Sequence, residues 1–128
     1  MRKLLLMLAL FSSTASAQWQ ALGGNDEETA YADTAGIEHR DRHRVKMWAL
    51  FDLRSPRNFG DLSYASMKIQ REYNCDSKET RIVAMSAHSG NMGAGETVYS
   101  NNTHYKWAGI KPDSAERALW DLACAARE

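Results

Sequence analysis

The stretch "YASMKIQREYNC", residues 64–75, alternates along its length. Ala65, Met67, Ile69, Tyr73 and Cys75 fall on one side of a period-two strand, and Ser66, Lys68, Gln70, Glu72 and Asn74 fall on the other. Arg71 is the charged exception in the apolar set. A strand with one dry and one wet face belongs to an antiparallel sheet covered on one side. The dry face ends in a cysteine, and the turn "DSK", residues 76–78, leads into the mixed apolar strand "TRIVAMSAH", residues 80–88.

Working upstream, "RVKMWALFDL", residues 44–53, repeats the pattern with Val45, Met47, Ala49, Phe51 and Leu53 on one face. Pro56 and Gly60 mark the following "RSPRNFGD" as a loop. Before it, "ETAYADTAGIEHR" contains two short strands, residues 29–33 and 37–40, broken at Gly36. Downstream, "SGNMGAGE" is expected to be a flexible hairpin connection into a last strand, "TVYSN". The expectation is six strands.

The period then changes. In "KPDSAERALWDLACAARE" Asp113 takes the N-cap position with Glu116 three residues on, and a helix follows over residues 114–127. Ala115, Leu119, Leu122, Ala123 and Ala126 form its apolar stripe, with Trp120 and Cys124 four apart on a flank. The predicted fold is α+β: a six-stranded antiparallel sheet with one C-terminal helix on one face.

The beginning of the chain bears on the cysteines. "MRKLLLMLALFSSTASAQ" joins Arg2 and Lys3 to an apolar run and an Ala15-Ser16-Ala17 site, the pattern of a secretory signal peptide over residues 1–17. The run is too short for a membrane span, and no cysteine stands at the cleavage point, so no lipid anchor is expected. One domain, residues 18–128, would enter the periplasm or the medium. In such an oxidising compartment two cysteines have one intrachain pairing, Cys75 with Cys124, which would tie the helix to the dry face.

Without residues 1–17 the chain carries 14 Lys plus Arg against 16 Asp plus Glu, which argues against a nucleic-acid binder. Catalytic and metal motifs are weak. His39 and His43 would sit about 13 Å apart in an extended strand and belong to a solvated turn. His88 and His104 stand alone in sequence. "SGNMGAGE" lacks the Gly-Lys-Ser/Thr of a phosphate loop. No catalytic residue, metal ligand or cofactor is therefore assigned. Arg40, Arg42, Arg44 and Lys46 recur at period two and are candidates for an anionic partner. Trp48 and Leu50 lie on the face that a single helix leaves open, which makes them candidates for a protein partner or a homodimer.

Several pieces together resemble the surface-adhesin protein E-like family of small exported bacterial proteins. They are Tyr31 with Asp33, Ile37, "VKMWALFD", "EYNC" followed by Arg81, Gly93 with Gly95, and "WAGIKPDS" leading to Cys124. The resemblance implies a curved antiparallel sheet whose helix is tied to the concave side by a disulfide. It also implies a non-enzymatic protein, with binding to host matrix or serum proteins in the lipid-anchored namesake. The functional expectation is an exported binding module recognising a protein or an anionic polymer. The alternatives are a periplasmic accessory protein of envelope assembly or stress and, last, a small hydrolase using scattered carboxylates.

Overall fold

The computed structural model describes residues 18–125. The signal peptide expected over residues 1–17 lies outside them, as do Ala126 and Arg127 of the expected helix. Among the described residues, strands β1 (Trp19–Gly24), β2 (Glu28–Asp33), β3 (Glu38–His39), β4 (Arg44–Phe59), β5 (Leu62–Asn74), β6 (Glu79–His88), β7 (Thr97–Asn101) and β8 (Ala108–Gly109) precede one α-helix, α1 (Ala115–Ala125). They form one antiparallel sheet in the order β1-β2-β4-β5-β6-β7, with β3 beside β4 and β8 beside β6.

The β4–β5 ladder is the spine. Val45 pairs with Tyr73, Met47 with Arg71, Ala49 with Ile69 and Phe51 with Met67, so the two dry faces found by alternation coincide. Val45, Met47, Ala49, Tyr73 and Cys75 pack with Ala32 of β2 and with Leu119 and Ala123 of α1. Arg71, the charged member of that face, reaches Glu116 of the helix at 3.8 Å. The Tyr73 side chain is fully buried, and its burial pushes the phenol pKa upward.

Two attachments seat the helix on β5, and a local cap begins it. Cys75 and Cys124 are joined by a disulfide. One turn earlier, the Trp120 indole N–H donates to the Asn74 carbonyl at 3.1 Å. Ser114 caps the first turn, its Oγ accepting the Arg117 N–H at 3.2 Å while its hydroxyl donates to the Lys111 carbonyl. Asp113, the expected cap, sits at φ 58° just outside. The cap is displaced by one residue because Asp113 takes the left-handed turn into the helix, a conformation Asp tolerates better than most residues.

The sheet has eight strands where alternation suggested six. β1 and β8 bury little apolar surface and are held by backbone pairing, to β2 and to Glu79–Thr80. β3 is only two residues long. The expected loop after residue 53 is instead the far half of β4. Pairing with β5 is irregular between Asp52 and Arg57, so Pro56 sits where the ladder makes no regular demand for an N–H. Pairing resumes at Arg57–Tyr64 and closes through a two-residue turn, with Gly60 at φ 60° in its first position.

Eliminating the tether is expected to be costly. The disulfide closes a loop across 49 residues of sequence, worth about 4 kcal/mol in the chain-entropy account. In urea titrations a Cys75→Ala/Cys124→Ala variant should lose about that much stability. An unchanged midpoint would show that the helix is seated by packing alone.

Candidate functional site

At about 1.5 Å per residue, an eleven-residue helix is about 16 Å long. The sixteen-residue β4 extends up to about 50 Å. The lid is therefore much shorter than the sheet it covers. α1 lies over the end marked by Val45 and Cys75, and the opposite end of the same face has no helix above it.

That end forms an apolar groove of about 260 Å³. Phe59 and Leu62 come from the two sides of the β4–β5 turn, with Tyr64 and Met67 further along β5. Met85 and Ala87 of β6, Val98 and Tyr99 of β7, and Tyr105 of the following loop complete the lining. Phe59 is 70% exposed, Tyr105 43%, Tyr99 39% and Leu62 38%. Phe59 and Tyr99 lie with ring centroids 6.3 Å apart. The Tyr99 hydroxyl accepts from the Asn101 amide at 2.6 Å, and the Tyr105 N–H donates to the Ile82 carbonyl at 2.9 Å. The walls are thus fixed by backbone and side-chain bonds while their apolar faces stay open.

The groove is smaller than the roughly 300–1,000 Å³ of pockets that enclose a whole organic ligand. It has room for one or two side chains of a larger partner. Contiguous exposed aromatics of this kind mark interaction surfaces, where Tyr, Phe and Met are enriched.

The candidates chosen from the sequence lie elsewhere. Leu50 is fully buried, contrary to the expected open strip. Its cross-strand neighbours are Tyr31 and Lys68, and the turn Asn91–Gly93 folds onto the same face. That turn is no free connection. The Asn91 side chain donates to Asp52 and to the Leu53 carbonyl, the Met92 N–H to Asp52, and the Gly93 N–H to Ser66. Trp48 is half-buried opposite Gln70.

The basic residues do not make one patch. Arg44 is taken up by Asp41 at 2.8 Å and by the buried Glu72 at 3.3 Å. The His43 N–H, with the Arg44 guanidinium, holds the Asp41 carboxyl below the usual carboxylate range. Lys46 stands between Glu38 and Glu72 in the ladder. Arg40 and Arg42 remain exposed in the turn. His43 contacts Asp76, and among the described residues no three His, Cys, Asp or Glu side chains converge as metal ligands.

His88 is not isolated in space. Its Nε2 lies 2.8 Å from the Ser86 hydroxyl and its Nδ1 3.3 Å from the Thr97 hydroxyl. Ser86 and His88 are two apart on one strand, so the period-two rule already puts them side by side. The trio joins β6 to β7 on the face opposite the groove.

A family model described as surface-adhesin protein E matches residues 19–125. Among solved structures, protein E of Haemophilus influenzae superposes with a TM-score of 0.68 at 15% identity, covering 88% of this chain and 87% of that one. Protein E from non-typeable Haemophilus influenzae gives a TM-score of 0.60 at 15% identity, covering 90% and 78%. At that identity these likenesses bear on the fold. No curated protein sequence matches the chain.

The His88 imidazole gives the β6–β7 junction a pH signature. Burial, with a smaller contribution from Lys68, lowers its pKa from the ordinary 6.5. The unfolded chain therefore binds a proton that the folded chain resists, and stability falls as pH drops below about 6.5. Urea unfolding at about pH 7.5 and about pH 5 should show a smaller acid loss in a His88→Gln variant than in the parent. Equal losses would mean that the histidine does not feel its surroundings.

Proposed function

Because the chain belongs to the surface-adhesin protein E family, we propose that it is an exported, non-enzymatic binding module that recognises a partner protein through the apolar groove. The observation that carries this reading is the uncovered end of the helix-bearing face, where Phe59, Leu62, Tyr99 and Tyr105 are all more than a third exposed. Monomeric proteins seldom leave so many neighbouring large apolar side chains in water without a binding role. An uncharged groove with aromatic anchors suits a protein partner better than an anionic polymer, which needs a free cationic array. Of the four basic residues at the hairpin, Arg44 is already paired and Lys46 is flanked by carboxylates, so the polymer reading loses half its charges.

The test is binding to a panel of immobilised extracellular-matrix and serum proteins. A Phe59→Ser/Tyr105→Ser variant should bind about tenfold more weakly than the parent, while its unfolding midpoint stays close to the parent's because both side chains are exposed. An Arg40→Glu/Arg42→Glu variant should bind within about twofold of the parent. The reverse pattern would move the site to the basic hairpin. If the parent binds nothing in the panel and crosslinks in cells only to envelope proteins, the accessory role takes its place.

A further inference from the structure

A separate cavity, of about 280 Å³, opens beside the first turn of α1, between that turn and strands β5, β6 and β8. Arg71 lines it. This arginine stands on the dry face of β5, where alternation calls for an apolar residue, and its side chain is only 16% exposed. Its Nε is buried and meets no hydrogen-bond partner among the described residues. The Glu116 carboxylate that pairs with the guanidinium stands 3.8 Å off, beyond hydrogen-bond reach. The Tyr73 hydroxyl, two residues along the same face, is also buried and unpartnered, and it feels the charges of both Arg71 and Glu116. A buried charged donor without an acceptor costs free energy, and a ligand that supplies the acceptor recovers it.

The rest of the lining divides by chemistry. Ala108 and Ile110 are apolar, and the exposed Lys111 has no ion pair among the described residues. Arg71 and Lys111 together outweigh Glu116, so the cavity is net positive. We propose that it binds a carboxylate with a short aliphatic tail, the carboxylate on the Arg71 guanidinium and the tail against Ala108 and Ile110. A planar guanidinium meets a carboxylate through two parallel N–H···O bonds, and its burial limits screening of them by water and salt. A dianion such as phosphate fits less well, because Glu116 repels its second charge and the apolar wall gives it nothing to bond. The tail is short because the cavity is smaller than those that enclose a whole organic ligand. A free small acid and a peptide chain ending in a small apolar residue both offer this chemistry. None of these residues lines the groove, so the site stands apart from the function proposed above.

The test follows the Arg71 Nε–H signal and the amides of residues 108–111 by NMR in the isotope-labelled protein. Sodium butyrate is titrated to about 50 mM, because a ligand this small binds in the millimolar range. Butyramide and sodium chloride are the controls. Butyrate should shift these signals saturably, and the controls should not. An Arg71→Lys variant, which keeps the charge and loses the fork, should bind butyrate at least about tenfold more weakly. Lys111 is exposed, so a Lys111→Glu variant should keep the parent's unfolding midpoint and bind at least about threefold more weakly. An N-acetylated tripeptide ending in a free valine carboxylate separates the two sources. Tighter binding than butyrate supports a chain end as the ligand, and weaker binding supports a free acid. The absence of a saturable shift with either ligand overturns the proposal. So does an equal shift with butyramide or chloride, or butyrate binding unchanged in either variant.

Discussion

The attachment of a short helix to one end of a long sheet governs the rest of the molecule. Cys124 reaches Cys75, and Trp120 reaches the carbonyl of the preceding residue, so the helix is held where β5 ends. Under it lie Val45, Met47, Ala49 and Tyr73, the sheet's main share of the core. A longer helix, or one tethered near the β4–β5 turn, would have covered Phe59, Leu62 and Tyr64. The core and the groove are two halves of one apolar face, separated by what eleven residues of helix can reach.

The opposite face is stabilised in another way. There the buried Glu72 carboxylate meets Arg44 and Arg81, the Arg81 guanidinium lies 4.8 Å from the centre of the Trp107 ring, and Asp52 and Ser66 hold the turn Asn91–Gly93. These include the residues through which the chain resembles its family: Glu72 of "EYNC", Arg81, Trp107, Asp52 of "VKMWALFD" and Gly93. Gly93 lies at φ 74°, in the left-handed region that favours glycine. The matching pieces therefore build the scaffold, and the groove proposed for recognition is lined by residues outside them. Phe59, Leu62, Tyr99 and Tyr105 appear in none of the matching pieces.

Much of this scaffold was legible in the residues. Alternation assigned the dry faces of β4 and β5 correctly down to Arg71, and export plus two cysteines led to the right bridge. The failures have two causes. Pro56 reads as the end of a strand, yet β4 continues past it because the ladder is irregular there. Leu50 reads as open because one helix covers one face, and the glycines of "SGNMGAGE" give no sign that their turn is pinned onto the other face. Ser86 and His88 stood two apart in plain sight, and only the signal of shared strand face was needed to join them. At Pro56 and Leu50 long-range pairing outweighed the local signal, whereas Ser86 and His88 meet through local strand spacing.

The sequence by itself determined which side of each main strand is apolar, that a helix closes the chain, and which thiols pair, because periodicity and cysteine count are local or combinatorial properties. Only the tertiary structure decided where an open apolar groove forms. The groove draws its walls from the β4–β5 turn, the middle of β6, β7 and the loop at Tyr105, segments that sequence spacing does not connect. Their meeting depends on sheet order, on ladder irregularities and on the length of the helix relative to the sheet. Those are properties of the assembled backbone, so the exposed aromatics acquire a meaning only once the sheet is formed.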